Sequence, residues 1–350
     1  ANDECIQTIT EDIRIEQGEP EVEVTRQVWR EGNAFRIRLN VRNAGTTSYL
    51  CDVVHDNVDG LQPIEDTFEG YSVSTTPSSH GQHHDVTLDL FSGTSSLVEI
   101  EAHHTVRLEY YAIPIQVFVL GVPKVEIGED PVEVVDTGGT DTWTITCPCT
   151  RTEDGHLLDD EIDWAIEGSD YLLVTNPDRC DSEFGTAAPV LSEMARLAFH
   201  RNGILGYAFG VGSDDPVWIR EWIRSWGRPM TGSDGAGGNY LSNGYLLLVG
   251  ETEIVPAWSV NTPNMTWTGD RESFSVGYSD LPYGDMASSD GVPELIVGRI
   301  IGNSAGALTQ AMQSSLNSGF DRSYGVATSG SESDWENFVG EAHEIVDVWR

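Results

Sequence analysis

Polar and apolar residues alternate along the first third of the chain. The alternation is clearest over residues 21–25 and 35–42, where every second side chain is apolar. A period of two residues is typical of a β-strand that buries one face. The same reasoning predicts strands over residues 50–54, 84–90, 97–102 and 106–119, separated by turn residues at 43–45, 59–60 and 92–93. Their spacing indicates an all-β sandwich over residues 1–120.

The pattern changes after residue 160, where continuous apolar runs replace the alternation. Runs at residues 170–175, 206–211, 244–250 and 293–298 predict buried strands, and helical periodicity predicts helices over residues 187–200 and 216–226. Alternating strands and helices are typical of an α/β domain with a mostly parallel sheet. The tryptophans at 218, 222 and 226 recur every fourth residue, which indicates a buried helix face.

Residues 121–160 differ from both regions, because they are rich in Gly, Asp, Glu, Pro and Thr. Such a composition is typical of a linker. We therefore predict a multidomain chain that consists of a sandwich at 1–120, a linker with some strand at 121–160, and an α/β domain at 161–350.

The charge of the chain excludes several partners. There are 57 acidic and 19 basic residues, for a net charge of −38, and Lys124 is the only lysine. Nucleic acids and anionic lipid surfaces are bound through clustered Lys and Arg, so neither is an expected partner. The acidic residues form either a solvated coat, as in proteins adapted to high salt, or Asp-rich loops that bind Ca²⁺. The two interpretations are compatible.

No segment of the sequence is long and apolar enough to predict a transmembrane helix. The best candidate, residues 111–122, is short and contains Pro114. The first five residues lack the basic and apolar regions of a signal peptide, so we expect any export signal to have been removed.

Five cysteines are candidates for disulfide bonds. Cys5 and Cys51 could form one pair, and Cys147 or Cys149 could pair with Cys180. The spacing does not match a structural zinc site, and sequence alone leaves the pairing open.

Histidines cluster in the β-rich region and suggest a second kind of site. His80, His83 and His84 could bind a metal together with His103 or His104 from another strand. Adjacent strand residues point to opposite faces, so each pair could supply one ligand per face. The alternative is that all five are ordinary polar positions of strands and loops.

An ordered set of motifs in the α/β region resembles the gingipain-type cysteine peptidases. The set consists of Tyr-Leu-Leu-Leu-Val-Gly at 245–250, Ile-Val-Pro at 254–256, Ser-Asp at 279–280 with Tyr-Gly at 283–284, Pro-Glu-Leu at 293–295, and Val-Gly-Arg-Ile at 297–300. The resemblance spans about residues 165–350. The motifs at 40–45, 51–56 and 59–61 also resemble the immunoglobulin-like modules of microbial surface proteins, a resemblance that spans about residues 20–120.

The peptidase resemblance implies a caspase-like fold, export, calcium ions that brace loops, and a Cys–His catalytic dyad. In the family the dyad follows later motifs, a Gly-His-Gly segment and then a Cys in a small-residue loop. Neither follows residue 300, and His343 lies in a predicted helix. We therefore expect the α/β domain to be truncated before the dyad, with no catalytic residue in this chain and no peptidase activity on its own.

Asp334 is the candidate for substrate specificity. It resembles the family aspartate that binds a basic P1 side chain, which implies an Arg-directed enzyme. The alternative is that Asp334 caps the helix predicted after it.

Asp280, Asp285 and Asp290 are the candidate calcium ligands. They lie with Ser288, Ser289 and Gly291 in an acidic loop, and oxygen ligands in flexible loops suit Ca²⁺. The alternative is a solvated turn.

Two functions are consistent with these features. The first is an exported, salt-adapted cysteine endopeptidase of extracellular or cell-surface location, whose partners are protein or peptide substrates. The second is a non-catalytic surface or filament protein that uses a peptidase-like scaffold and assembles with copies of itself. The two hypotheses differ in whether full-length protein cleaves an Arg-terminated peptide.

Overall fold

The computed structural model describes residues 22–91, 98–117, 132–136, 141–145, 153, 155–210, 212–226, 244–266, 273–285 and 293–317. The chain divides into two compact units, residues 1–313 and 314–350. The described strands and helices belong to the first unit, except that the last helix, Ala305–Asn317, ends at the start of the second.

Short antiparallel strands make up the N-terminal region, as the alternating pattern predicts. The strands are β1 Val22–Glu31, β2 Ala34–Asn43, β3 Tyr49–Cys51, β4 Val53–Asp59, β5 Leu61–Pro63, β6 Asp66–Phe68, β7 Tyr71–Ser78, β8 His83–Leu90, β9 Val98–Ile100, β10 Thr105–Val117, β11 Val132–Asp136 and β12 Asp141–Ile145. Six of them form a sheet in the order β12-β11-β4-β8-β7-β6, and β3 pairs with β9.

The core of this region forms because alternate residues of facing strands turn inward. Phe35, Ile37 and Leu39 of β2 are fully buried, and they share a cluster with Val54 of β4 and Leu88 of β8. This periodic burial is the physical consequence of the side-chain alternation along a strand. Antiparallel sheets are confirmed for this region, and the immunoglobulin-like assignment stays a prediction.

The C-terminal elements alternate between helix and strand. They are α1 Leu158–Glu167, β13 Tyr171–Thr175, α2 Pro177–Phe184, α3 Ala188–His200, β14 Gly203–Tyr207, α4 Pro216–Trp226, β15 Tyr245–Val249, β16 Trp258–Thr266, β17 Ser273–Ser279, β18 Ile296–Ile300 and α5 Ala305–Asn317. Strands β14, β13, β15 and β18 are neighbours in that order and run parallel. The predicted parallel strands are confirmed for this region.

Strand β14 lies earlier in the chain than the prediction of 206–211. Helix α3 ends at His200, Asn202 in the turn after it has a φ of 51°, and the strand begins at the next residue, Gly203. A side chain at Gly203 would come within 2.9 Å of the Tyr171 carbonyl oxygen, and one at Gly206 within 2.8 Å of the Trp222 indole. These glycines allow close packing inside the sheet, although a glycine by itself suggests a turn.

Strand β18 lies later in the chain than the prediction of 293–298, since it begins at Ile296. The backbone N–H groups of Glu294 and Leu295 donate to the Gly284 carbonyl, at 2.9 and 3.1 Å. Glu294 and Leu295 are therefore hydrogen-bonded to the loop at Gly284, and pairing with β15 begins only at Ile296.

Strand β10 joins the two kinds of sheet. Its first residues pair antiparallel with β2, and its last three, Ile115 to Val117, pair parallel with β14. The result is one eight-stranded sheet in the order β1-β2-β10-β14-β13-β15-β18, with β5 also paired to β10. One sheet thus contains strands from both predicted domains, and the domain limits at 120 and 160 stay predictions.

Side-chain hydrogen bonds reinforce this junction. The Asn33 side chain donates to the carbonyls of Ala198 and Gly203, and the Tyr207 hydroxyl donates to Gln62 Oε1 at 2.7 Å. All of these contacts are buried, so they stabilise the junction more than exposed contacts would. The N-terminal region therefore packs directly on the parallel sheet.

Candidate functional site

The carboxyl ends of the parallel strands define the edge where the motifs meet. Strands β13, β15 and β18 run in the same direction, so the loops that follow Thr175, Val249 and Ile300 leave from one edge of the sheet. In open α/β sheets, ligands bind at this edge. The Thr175 hydroxyl donates to the Val249 carbonyl at 2.9 Å, which links two of the strand ends.

One arginine organises the loops at this edge. The guanidinium of Arg299, near the end of β18, donates through Nε and Nη2 to the two carboxylate oxygens of Asp280, at 2.7 and 2.6 Å. Its Nη1 donates to the carbonyls of Gly250 and Val255, at 2.9 and 2.7 Å. We call these four residues the Arg299 cluster. Such charge-assisted, bidentate bonds are among the strongest in proteins.

The loop after β15 has a backbone that only glycine readily allows. Gly250 has a φ of 119°, and a Cβ there would lie 2.7 Å from side-chain atoms of Ile254. This conformation turns the chain back on itself, with Ile254 and Val255 buried below it. The carbonyls of Gly250 and Val255 therefore both reach the Arg299 guanidinium.

Tyr283 anchors the loop that contains Asp280. Its side chain is fully buried, its hydroxyl donates to the Pro256 carbonyl, and its ring packs edge-on against Trp258. Burial raises the pKa of the Tyr283 hydroxyl, so it stays a neutral hydrogen-bond donor. The adjacent Gly284 permits close packing, since a Cβ there would lie 2.7 Å from the Val297 side chain.

A second arginine binds the other described aspartate of the predicted calcium site. Arg224 of α4 donates from Nη2 to the Asp285 carboxylate at 3.0 Å and from Nε to the Asp285 carbonyl at 2.6 Å. Asp285 is buried, and its carboxylate is thus neutralised by a cation of the protein itself.

These pairings do not fit calcium at Asp280 and Asp285. A divalent cation beside Arg299 or Arg224 would meet like charge, and both carboxylates already accept from guanidinium groups. In the described ranges, no group of three or more His, Cys, Asp or Glu side chains could hold a metal ion. Asp290 lies outside the described residues, so calcium in the loop around it stays a prediction.

The histidines of the β-rich region do not converge. His83 contacts Asp59 at 2.6 Å, and the buried His84 donates from Nε2 to the Gly81 carbonyl at 2.8 Å. His103 and His104 are exposed on a separate turn. A site that combines these histidines is therefore wrong for the part of the chain that the structure describes.

His80 has a different environment from the other histidines. It has a φ of 62°, stacks on Phe209 with ring centroids 4.5 Å apart, and contacts the Asp178 carboxylate at 2.7 Å. Asp178 and Phe209 follow β13 and β14, so this histidine of the N-terminal region reaches the carboxyl edge of the parallel sheet. The sequence suggests His80 only as a metal ligand, and no pattern in it indicates the contact with Asp178.

Cys180 lacks the properties of a catalytic thiol. The Cys180 thiol is buried, and burial raises its pKa to about 11. The hydrogen bond with the Thr175 hydroxyl, at 3.5 Å, lowers the pKa by less than burial raises it. A cysteine nucleophile needs a lowered pKa and an adjacent base. Cys51 is buried in the core of the N-terminal region.

Several predicted residues lie outside the described residues. They are the disulfide candidates Cys5, Cys147 and Cys149, the specificity candidate Asp334, and His343. The disulfide pairing and the basic-side-chain pocket therefore stay predictions.

The Arg299 cluster was also missed from sequence. Arg299 and Asp280 stand in the family-like motifs, yet neither motif indicates that the two side chains pair. The signal in the sequence was the rarity of basic residues, 19 in 350, which makes an arginine at the end of a predicted strand notable. The Arg299 cluster connects four of the five motif segments, and the fifth, residues 293–295, donates from its backbone to the Gly284 carbonyl beside Tyr283.

Comparison with known proteins supports the peptidase resemblance. Residues 169–328 match the family model for Peptidase family C25, the gingipain family. The resemblance is therefore confirmed for that segment. No curated protein matches the chain.

Similarities to solved structures are weak. A family GH18 chitinase from Chromobacterium violaceum is 16% identical, with a TM-score of 0.26, over 35% of this chain and 18% of that one. The carbohydrate-binding module CBM3b of cellobiohydrolase 9A from Clostridium thermocellum is 14% identical, with a TM-score of 0.25, over 36% and 97%. Spo0M from Bacillus subtilis is 11% identical, with a TM-score of 0.19, over 37% and 49%. TM-scores this low do not indicate a shared fold. The match to the chitinase covers less than a fifth of that protein's length.

Within the described ranges, none of the helices is both long and apolar enough to cross a bilayer.

Proposed function

We propose that this chain is part of an exported, salt-adapted cysteine endopeptidase of the gingipain type. The observation that supports the proposal best is the Arg299 cluster, which joins four of the five family motifs at the carboxyl edge of the parallel sheet. The cluster lies inside the segment that matches Peptidase family C25. A peptidase of this family acts on proteins or peptides.

The Arg299 cluster holds two loops in place at the carboxyl edge of the sheet. Loops bear catalytic and binding groups most effectively when a rigid scaffold positions them. Arg299 fixes two loops at once, because its guanidinium binds the carboxylate of one and the carbonyls of the other. A peptide bound along this edge would meet ordered backbone rather than mobile loops.

Finer features of the proposal come from the family resemblance and the charge. Asp334 would pair with a basic P1 side chain, which would make the enzyme Arg-directed. The net charge of −38 supports adaptation to high salt, where screening reduces self-repulsion. We propose an extracellular or cell-surface location and bound Ca²⁺ outside the Arg299 cluster.

A peptidase assay on the full-length protein tests the function. We expect cleavage of an Arg-terminated chromogenic peptide, little cleavage of the matched Leu-terminated peptide, and loss of activity after thiol alkylation. Failure to cleave either peptide at low or high salt would contradict the proposal. That result would favour a non-catalytic surface or filament protein that uses the peptidase fold as a scaffold.

Substitution of the central arginine tests the role of the edge. Arg299→Lys keeps the charge but cannot bind a carboxylate and two carbonyls in one plane, so we expect kcat/KM to fall by roughly tenfold or more. Arg201→Gln is the matched control, because Arg201 precedes β14 at the opposite edge of the sheet. Equal activity of the Lys variant and the control would show that the cluster does not serve the site.

A further inference from the structure

The outward face of the antiparallel strands β1, β2 and β10 differs in charge from the rest of the chain. Its outward residues are Glu23, Thr25, Gln27, Trp29 and Glu31 of β1, Arg36, Arg38, Asn40 and Arg42 of β2, and Thr105, Arg107, Glu109 and Tyr111 of β10. We call this surface the arginine face. It has four arginines and three glutamates, whereas the whole chain has 57 acidic and 19 basic residues.

The basic residues of the arginine face lie in a line. Arg36, Arg38 and Arg42 are on one side of the central strand β2, and Arg107 of β10 lies beside them, opposite Asn40. Alternate residues of a strand are roughly 6.6 Å apart, so the line from Arg36 to Arg42 extends over about 20 Å. The Arg42 side chain is 49% exposed, and Arg107 is exposed and has no ion pair among the described residues.

Contacts within the face hold these arginines in place. The Nε atoms of Arg36 and Arg38 contact Glu31 and Glu109, and the Nη1 atom of Arg42 contacts Glu23 at 3.0 Å. Each guanidinium has five N–H donors, so a single contact leaves most of them for other acceptors. The glutamates thus orient the guanidinium groups and reduce the entropy lost when a ligand binds.

Planar groups accompany the charges. The guanidinium carbons of Arg36 and Arg38 lie 4.7 and 4.5 Å from the ring centroid of Trp29, and Tyr111 lies opposite Arg36 on the next strand. Gln27 and Asn40, which share a hydrogen bond of 3.1 Å, add planar amides. The outward side chains of the three strands are therefore rings, guanidinium groups, amides, carboxylates and hydroxyls, without Ala, Val, Leu, Ile or Met.

We propose that the arginine face binds a linear polysaccharide that bears carboxylate groups. The line of guanidinium groups matches an extended polyanion, and the planar guanidinium groups that stack on Trp29 offer a flat surface for sugar rings. A DNA duplex fits less well, because it has one charge per roughly 1.7 Å, and the acidic remainder of the chain repels so dense a polyanion more strongly than a polymer with one carboxylate per sugar. The proposal concerns a surface away from the Arg299 cluster and does not depend on peptidase activity.

Affinity electrophoresis and calorimetry of the full chain with polygalacturonate test the proposal. We expect binding at low ionic strength that weakens as salt is added, and no binding of the neutral polymer hydroxyethyl cellulose. Absence of binding to polygalacturonate would overturn the proposal. Equal or tighter binding of poly-L-glutamate or single-stranded DNA would overturn the choice of a polysaccharide.

Substitutions locate the binding surface. We expect Trp29→Ala and the double variant Arg36→Gln/Arg38→Gln each to weaken binding by roughly tenfold or more, and Trp29→Phe to retain most of it. Arg220→Gln is the matched control, because Arg220 also lies over a tryptophan ring, that of Trp258 at 4.6 Å, but on a different element. Unchanged binding in the first two variants, with thermal unfolding like that of the wild type, would contradict the proposal.

Discussion

Both regions of the molecule contain an arginine paired with an aspartate, but in different surroundings. In the N-terminal region, Arg26 of β1 and Asp56 of β4 are both fully buried, and the Tyr110 hydroxyl donates to the same carboxylate at 2.9 Å. At the edge of the parallel sheet, Arg299 is 10% exposed and Asp280 24% exposed. An arginine–aspartate ion pair is therefore part of the core in the N-terminal region and part of the loops at the edge of the parallel sheet.

The difference in burial changes what each pair does. Removing two charges from water is costly, and the cost is offset only while both partners remain. The Arg26 pair should thus affect the stability of the whole unit. The Arg299 pair is partly hydrated and also binds loop carbonyls, so it should mainly affect local order.

The largest effect is expected from Asp56→Asn. This change leaves the Arg26 charge buried without its partner, so the free energy of unfolding should fall by about 3–5 kcal/mol. Chemical denaturation measures the change. The double variant Arg26→Met/Asp56→Leu removes both charges and should recover most of the loss, whereas equal instability of the two variants would show that charge pairing is not the cause.

A pH effect is expected within the same region. Burial lowers the pKa of His84 to about 4, below the usual value of about 6.5 in an unfolded chain. The unfolded state therefore binds more protons, and stability falls as the pH drops from about 6.5 to 4, by up to about 3 kcal/mol. We expect His84→Gln to remove this part of the acid sensitivity in urea unfolding.

His83 provides the control for that measurement. Burial lowers its pKa, but the contacts with Asp59 and Asp85 outweigh this effect, and the net shift is upward. The stabilisation by His83 is therefore present below the pKa of histidine in the unfolded chain and is lost as the pH rises through the folded pKa. This pH dependence of stability is opposite in sign to that caused by His84. If His83→Gln and His84→Gln change the loss of stability at acid pH equally, burial of His84 is not its cause.

A smaller, local effect is expected from Arg299→Gln. The loss of charge-assisted hydrogen bonds should cost roughly 2 kcal/mol, with faster amide exchange in residues 250–256 and 279–285 than in β2 or β8. Hydrogen exchange read by mass spectrometry distinguishes the regions. Uniformly faster exchange throughout the first unit would show that this pair, like Arg26 and Asp56, supports the whole core.

The smallest effect is expected from Tyr207→Phe at the junction. Gln62 Oε1 would lose its buried donor, at a cost of about 1–2 kcal/mol. The unfolding transition should stay single if the shared sheet makes the two regions one cooperative unit. Tyr278→Phe, at a side chain that is 76% exposed, should change stability little. Two separate transitions in the Tyr207 variant would indicate that the regions unfold independently.

Much of the fold could be predicted from periodicity. The strands around residues 22–43 and the helices at 188–200 and 216–226 lie close to their predicted limits. Helices α1 and α2, the hairpin of β16 and β17, and helix α5 were missed. Helix α2, for example, begins with Pro177 and has charged residues throughout, so it lacks a long apolar stripe. Its stability depends on the Asn176 cap and on contacts elsewhere in the fold.

Periodicity and motif order determined the β-rich start, the parallel sheet and the peptidase resemblance from sequence alone. They are local properties, since burial of one face of a strand or helix follows directly from residue spacing. Only the tertiary structure decided that β10 joins the two sheets and that Asp280 and Asp285 bind arginines. It also decided that Arg299 reaches carbonyls 44 and 49 residues earlier in the chain. Such partners depend on strand register and loop closure, which bring together residues that no spacing in the sequence relates.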